Sequence, residues 1–365
     1  MGCPATRQAL KTPVQQSCDD KDGHYIVKPN DILASQYRII RLLGQGTFGK
    51  VVEATDGEGK KYAIKIIRST PKYREASRVE VRVLEHIKRE DPTNSMQCIQ
   101  LRKFFEYKHH SCMVFDLLSQ SVFDFLKDNH FNPFPPEHIF RFTKQIVTAV
   151  AFLHRNELVH TDLKPENIML NDNSYTLSTT DIGVGLKPKK LLKNATIQLI
   201  DFGSAVFERE YHSTVVSTRH YRAPEVILNL GWSYPCDMWS VGCILVEFWT
   251  GDALFQTHDN LEHLAMMEQV LGRFPLSMIE KSSVFQKYFN ADGSVSHPKE
   301  DTTKTSINNV RRMKRISDII KVKRNDDFAF RFLDLVSRML TPDPKERITA
   351  QDALHHSFFS LYPGC

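Results

Sequence analysis

Eight consecutive residues, His160-Thr161-Asp162-Leu163-Lys164-Pro165-Glu166-Asn167, carry an aspartate, a lysine and an asparagine, and a second aspartate follows in Asp201-Phe202-Gly203. The spacing suits transfer of a phosphoryl group to a hydroxyl. Such a nucleophile needs a proton acceptor, the role open to Asp162, and a cation beside the moving phosphoryl group, the role open to Lys164. It also needs oxygen ligands for magnesium, which Asn167 and Asp201 supply. The four roles differ, so the residues are not interchangeable.

The elements that must present the phosphate donor lie in the amino-terminal third. A glycine-rich stretch, Leu43-Gly44-Gln45-Gly46-Thr47-Phe48-Gly49-Lys50-Val51, falls between the apolar runs 37–43 and 51–54, the pattern of a β-hairpin turn. Positions without side chains let backbone N–H groups approach phosphate oxygens, although three spaced glycines alone serve a tight turn equally well. Tyr62-Ala63-Ile64-Lys65-Ile66-Ile67 alternates like a strand and sets one lysine in a β-branched run. An unpaired ammonium is costly to bury there, so Lys65 needs an anion. A helix expected over residues 75–88 offers Glu75, Glu80 and Glu85. Glu80, among Val79, Val83 and Leu84, is the expected partner, with Glu85 on the surface.

The glycine loop, Ala63-Ile64-Lys65, the 160–167 loop, Asp201-Phe202-Gly203 and Ala223-Pro224-Glu225 stand in the order of eukaryotic protein kinases, over residues 37 to 360. A finer resemblance is to the LAMMER family, or Cdc-like kinases, of the CMGC group. It rests on Thr161 in place of arginine, on Ser217-Thr218-Arg219-His220-Tyr221-Arg222-Ala223-Pro224-Glu225, and on the family signature Glu262-His263-Leu264-Ala265-Met266-Met267-Glu268. Here the signature continues Gln269-Val270-Leu271-Gly272, so its closing arginine is missing. Leu264, Met267 and Leu271 share one helical face and Gly272 is a helix stop, which predicts a core helix with no chemistry of its own.

The resemblance implies an α+β, bilobal protein-kinase fold. A flexible segment is expected over 1–34 and a kinase domain over 35–360, with a strand-rich N-lobe at 35–118 and a larger helical C-lobe at 119–360. Residues 171–194 and 274–327 exceed a minimal kinase core, the first where a long hairpin would be inserted, the second with Arg311, Arg312, Lys314 and Arg315 on a solvated face. Composition agrees: 365 residues at 41% hydrophobic bury a large core. The seven cysteines are odd in number, scattered and without metal-ligand spacing, which favours free thiols in a reducing compartment. The longest apolar run, Met238 to Trp249, is interrupted by Ser240 and Glu247 and reads as a buried central helix. A net charge of +5 does not suggest direct nucleic-acid binding.

The resemblance also implies ATP and Mg2+ as cofactors. Leu43, Val51, Ala63, Met169 and Ile200 would sandwich the adenine, and Gly44, Gly46 and Gly49 would line its phosphates. Asp116 to Leu118 would be the hinge that reads the purine edge, with Phe115 as gatekeeper. For the protein substrate, Thr218 resembles the threonine that bonds both catalytic aspartate and lysine. Glu166 holds the position that meets an upstream arginine, and Arg222 lies beside the pocket for the residue after the acceptor. Asp237 and Arg347 would brace the catalytic loop and pair with Glu225, respectively.

The expected activity is dual-specificity serine/threonine phosphorylation with tyrosine autophosphorylation, on arginine/serine-rich proteins such as splicing factors, by a monomer. The alternatives are a kinase of the related dual-specificity tyrosine-regulated group, against which the Leu264-Ala265-Met266-Met267 run argues, or a pseudokinase scaffold. The second loses ground because Lys65, Asp162, Asn167 and Asp201 are all present. Many LAMMER kinases are nuclear and carry a long basic arm, which residues 1–34 do not form; Lys187-Pro188-Lys189-Lys190 is the internal basic cluster. Nucleus and cytoplasm are expected, with membrane association only if Gly2 and Cys3 are acylated, as Met1-Gly2-Cys3-Pro4-Ala5-Thr6 permits.

Overall fold

The computed structural model describes residues 18–178 and 188–362. The acylation motif at Gly2 and Cys3 and residue Lys187 of the basic cluster therefore lie outside the described residues. The chain divides into two compact units, one made of the residues up to Arg78 together with Arg102–Leu117, the other of Val79–Leu101 and the residues from Leu118 onward.

The first unit is built on an antiparallel sheet of β1 (Ile32–Leu33), β2 (Tyr37–Gln45), β3 (Gly49–Thr55), β4 (Lys61–Ile67), β5 (Lys103–Tyr107) and β6 (His110–Asp116), in the order β1-β2-β3-β4-β6-β5. Period-two alternation sends Tyr37, Ile39, Val52, Ala54, Ile64, Ile66, Cys112 and Val114 into one apolar cluster. The expectation of little fixed structure over residues 1–34 does not hold for residues 18–34. Tyr25 and Leu33 belong to the same cluster, and the backbone of residues 22–25 is held by Lys50 of β3 and by Arg68, which follows β4. Lys50 donates to the Tyr25 carbonyl at 3.0 Å and Arg68 to the Asp22 carbonyl at 2.8 Å. A polar composition concealed this because the stabilising partners lie far away in sequence.

Helix α1 (Pro71–Glu90) is longer than the 75–88 expected, because Pro71 suits a first helical turn. The division between the units passes through it. In the second unit follow α2 (Val122–Asp128), α3 (Pro136–Arg155), β7 (Leu158–Val159), β8 (Ile168–Leu170), β9 (Tyr175–Ser178), β10 (Lys189–Leu192), β11 (Ile197–Leu199) and β12 (Val206–Phe207). The remaining helices are α4 (Pro224–Ile227), α5 (Pro235–Thr250), α6 (Asn260–Leu271), α7 (Leu276–Ile279), α8 (Phe285–Tyr288), α9 (Lys304–Arg312), α10 (Ile316–Ile319), α11 (Asp327–Met339) and α12 (Ala350–Leu354). Strands β9 and β10 pair antiparallel within the 171–194 insertion, and the 274–327 insertion holds α7 to α10.

Helix α5 is the axis of this unit. Every residue from Cys236 to Phe248 is buried, so the helix is enclosed on all sides, as a core helix is. It ends at Gly251, whose φ of 88° is left-handed and whose Cβ, if present, would lie 1.9 Å from the Phe131 carbonyl oxygen. Beside its amino terminus, Arg347 and Glu225 form a fully buried bidentate pair at 2.7 and 2.9 Å. Arg347 also donates to the carbonyls of Pro235, Thr341 and Pro342, so all five guanidinium donors are used. Replacing Arg347 by alanine leaves a buried carboxylate and three carbonyls unpaired. A loss of about 3–5 kcal/mol is expected in urea denaturation, and Arg347→Lys, with a shorter set of donors, should recover less than half of it.

Candidate active site

One buried carboxylate organises the loop between β7 and β8. Asp237, in the first turn of α5, accepts from the backbone N–H of His160 and of Thr161, each at 2.9 Å, and from His154 Nε2 at 3.0 Å. These bonds hold Thr161 at a φ of 68°, an uncommon conformation for a β-branched residue. Thr161 is itself buried, and its hydroxyl donates to the Ser204 carbonyl at 2.9 Å. His160 packs edge-on against buried Phe202; its Nε2 donates to the Ile200 carbonyl at 3.2 Å while its Nδ1 accepts from the Asp162 N–H at 3.3 Å. That pattern assigns the neutral tautomer. The 160–167 and 200–204 segments are thereby joined from both sides.

On this frame Asp162 faces two partners. Its Oδ2 accepts from Lys164 Nζ at 2.7 Å, and its Oδ1 accepts from the Thr218 hydroxyl at 2.7 Å and the Thr218 N–H at 2.9 Å. Lys164 closes the triangle by donating to Thr218 Oγ1 at 3.1 Å. Burial works against the Asp162 carboxylate, but the bonds from Lys164 and Thr218 prevail and hold its pKa below the usual range. It is ionised at neutral pH. Such a carboxylate orients an incoming hydroxyl and takes its proton as the O–P bond forms, with Lys164 supplying positive charge beside it.

Asn167 donates its amide N–H to the Asp162 carbonyl at 2.9 Å, which leaves the amide oxygen as the coordinating atom. The antiparallel pair β8–β11 brings it beside Asp201, since Ile168 pairs with Leu199 and the Ile200 N–H donates to the Asn167 carbonyl at 2.9 Å. Asp201 sits at a φ of 61°. An oxygen-only pair of this kind fits a hard divalent cation such as Mg2+. Glu80 is 5% exposed, and a Cβ on Gly203 would stand 3.3 Å from both Glu80 Oε2 and Asp201 Oδ1, so the two carboxylates flank that glycine. Val79, expected beside it on the buried face, is instead exposed, whereas Val83 and Leu84 are buried and Glu85 is at the surface.

A second acidic group lies near the 216–222 segment. Glu166 is exposed, and incomplete hydration, with the negative charges of Asp162 and Asp124, raises its pKa. Glu247 of α5 is buried and pushed up to about 7, by burial first and then by the negative charge of Glu166, even though it accepts from the Tyr221 hydroxyl at 2.7 Å. Tyr221 is 3% exposed. In the sequence Glu247 stands only as an interruption of an apolar run. A lone carboxylate inside a buried helix was the available signal. Arg222 donates to the carbonyls of Val216 and Ser217 at 2.9 and 2.8 Å and so shapes the 216–222 backbone.

In the other unit, Gly49 is required by packing, because a Cβ there would lie 2.2 Å from the Ile66 carbonyl oxygen. Gly44 and Gly46 have open space around them and leave backbone available to a ligand. Lys65 lies in β4 opposite Val51 and Met113, and its Nζ is 6.0 Å from the Phe48 ring centre. Leu43 is exposed, Val51 and Ala63 are half-buried, and Phe115 is buried. The Asp116 side chain is engaged by Arg102, at 2.9 Å from its Nε. Leu118, Met169 and Ile200, in the second unit, are each half-buried.

The family model of the protein kinase domain matches residues 37–359. The chain is 53% identical to the dual specificity protein kinase lkh1 of Schizosaccharomyces pombe, over 94% of this chain but 49% of that protein, so it spans about half the length of that relative. It is 45% identical to the serine/threonine-protein kinase AFC2 of Arabidopsis thaliana, over 94% of this chain and 81% of the relative. It is 45% identical to the human dual specificity protein kinase CLK4, over 94% and 70%. The crystal structure of the PF14_0431 kinase domain superposes with a TM-score of 0.85 at 35% identity, covering 93% of this chain and all of that one. The α+β protein-kinase fold expected from the sequence is the fold observed.

Two outcomes follow from the geometry. Lys65→Met and Asp201→Asn each remove one charge without opening a core cavity, so phosphoryl transfer should fall by at least about a hundredfold while the melting temperature stays near wild type. Substantial activity in Asp201→Asn would remove the metal assignment. The second outcome concerns Thr161, whose hydroxyl holds the Ser204 carbonyl in a place where most kinases carry a phosphate-binding arginine. Phosphatase-treated enzyme should retain more than half its turnover, with exposed Ser213 and Thr214 as the accessible acceptors of that segment; a collapse reversed by autophosphorylation would contradict it.

Proposed function

Because the chain belongs to the protein kinase family, and within it to the LAMMER or Cdc-like dual-specificity kinases, we propose that it phosphorylates serines in arginine/serine-rich proteins, splicing factors among them. ATP is the phosphoryl donor, and tyrosine autophosphorylation accompanies the serine/threonine activity. The observation that carries the catalytic reading is the triangle of Asp162, Lys164 and Thr218, which presents an ionised acceptor and a cation on one side of the loop. A magnesium ion held by Asn167 and Asp201 would neutralise developing charge on the phosphates. Asp162 receives the hydroxyl proton, Lys164 steadies the transferred group, and Thr218 fixes the distance between them.

The substrate reading rests on Glu166 and Glu247. Two carboxylates are both raised in pKa, Glu166 by desolvation and the charges of Asp162 and Asp124, Glu247 by burial and the charge of Glu166, and such groups gain from a guanidinium. A planar, always-charged arginine pairs with carboxylates better than lysine does. The Glu166 carboxylate, being exposed, makes the first contact, and Glu247 supports it from within. Arg222, which shapes the 216–222 backbone, favours a second substrate type, Ser-Pro with an upstream arginine.

An oriented peptide library on purified protein tests both substrate types, and acidic residues around the acceptor would end the substrate reading while leaving the kinase assignment intact. Glu166→Ala should reduce arginine preference more than turnover. The raised pKa of Glu247 adds a pH dependence with a defined sign. As pH falls from 8 to 6 the group is protonated and its charge lost, so the KM for an arginine-bearing peptide should rise severalfold. A matched peptide without that arginine should change little. In Glu247→Gln, which retains an acceptor for Tyr221, the difference between the two peptides should no longer vary with pH.

A further inference from the structure

Far from the catalytic residues in sequence, three ligand-type side chains of the sheet-bearing unit converge. The Cys18 thiol, an Asp19 carboxylate oxygen and a His110 ring nitrogen all lie within 4.8 Å of one another. His110 is fully buried at the start of β6, while Cys18 and Asp19 are half-buried on the segment that runs over the sheet. His110 Nδ1 stands 2.6 Å from the Ile67 carbonyl oxygen, an acceptor, so that nitrogen carries the proton. In the neutral imidazole Nε2 is then a bare lone pair, yet it stands 2.8 Å from Asp19 Oδ1, which is also an acceptor. Two acceptors facing each other at this distance need a positive species between or beside them: a second proton on the ring, or a metal ion.

We propose that Cys18, Asp19 and His110 are ligands for a borderline-soft divalent cation of the zinc class, which fastens the amino-terminal segment to the sheet. The donor set is one thiolate, one imidazole and one carboxylate, which suits Zn2+ or Co2+ and is a poor match for Mg2+ or Ca2+. Three protein ligands leave one coordination position to water. The surrounding bonds are those that orient metal ligands elsewhere: the imidazole donates its other N–H to a backbone carbonyl, and Asp19 Oδ2 accepts from the Ser69 hydroxyl at 2.6 Å. Cys18 now donates to Asp19 Oδ1 at 3.2 Å; binding replaces that proton, and the thiol proton leaves to solvent as the thiolate–metal bond forms.

The site has a structural consequence. Asp19 pairs with Tyr25 as an isolated β-bridge, and Lys50, at the start of the strand that leaves the glycine turn, reaches both the Tyr25 carbonyl and Asp20 Oδ2, at 3.0 and 3.4 Å. A cation shared by Cys18, Asp19 and His110 would thus secure the segment at its outer end. Cys18 and Asp19 are neighbours, but His110 stands 91 residues from Asp19, so no linear metal motif announces the cluster.

The test uses the full chain, freed of metal by chelator dialysis and titrated with Co2+. A thiolate-to-cobalt charge-transfer band in the near ultraviolet should saturate at one equivalent, disappear on adding Zn2+, and be absent in Cys18→Ala. Ser69→Ala should bind Co2+ about tenfold more weakly, as loss of an outer-shell partner does. Zn2+ should raise the melting temperature of the wild type and leave Cys18→Ala unmoved, because only a ligand bound to the folded state stabilises it. Cys18 is outside the catalytic machinery, so kinase activity of Cys18→Ala with Mg2+ and ATP should stay within about twofold of wild type, which shows that the variant is folded. Absence of the band, or its persistence in Cys18→Ala, would overturn the proposal and leave Asp19 and His110 as a charged ion pair.

Discussion

The Asp237 carboxylate is the constraint on which the active site depends. It is a carboxylate group taken wholly out of water, tolerable because two backbone N–H groups and one imidazole satisfy it. Those bonds rigidly join the most deeply buried helix of the second unit to the loop that carries Asp162. The unusual φ of Thr161 persists because this carboxylate over-determines it, and Asp162 follows immediately. A loop of this length without such an anchor would sample many conformations and pay an entropic cost at every turnover. Catalytic geometry is thus inherited from the core of the helical unit.

Carboxylates in the same unit meet opposite fates, and the difference separates their roles. Asp162 is surrounded by donors and stays ionised as a proton acceptor. Glu247 has one hydroxyl donor and a like charge nearby, so burial and repulsion outweigh that bond and push it up to about 7. Glu225 is held bidentately by Arg347 in the core and serves the fold. Donor supply, more than burial, distinguishes these three, because all are removed from bulk water to a large extent. Carboxylates in quite different electrostatic settings can therefore coexist within one folded unit.

The 160–167 loop, the glycine turn, Lys65 and the Asn167 and Asp201 pair were legible as motifs because phosphoryl transfer demands specific groups at short, repeated spacings. Helix α5 was legible because twelve apolar-rich residues cannot be exposed. What escaped the sequence depended on distant partners. Residues 18–34 look like a polar tail until Lys50 and Arg68 are seen to satisfy their carbonyls. Glu247 looks like a defect in an apolar helix until Tyr221 is found against it. Val79 was misplaced for a different reason: within one helix turn, apolar character alone does not distinguish the buried flank from the exposed one, and Glu80, the charged neighbour, is the buried residue.

The signature segment of the family acquires a physical account from its neighbours. In α6, Asp259 caps the first turn, and Glu262 accepts from the Thr257 hydroxyl at 2.8 Å and from Asn309 of α9 at 3.2 Å, which ties the long insertion to the helix. Leu264, Met266 and Met267 fill the core, and Gly272 ends the helix at a φ of 103°. His263 is fully buried, without a hydrogen-bond partner among the described residues, and pushed down to about 3 by burial and by the positive charges of Arg219 and Arg222. It is a neutral core residue. At the helix start Asn260 receives Arg219 at 2.5 Å, so the same element steadies the segment that carries Thr218 and Arg222. Gln269, where the family has its closing arginine, is exposed, so the substitution removes no core contact. The signature therefore has a positional part: it anchors the backbone that carries Thr218 and Arg222 on one side and the insertion on the other, and neither contact involves the missing guanidinium.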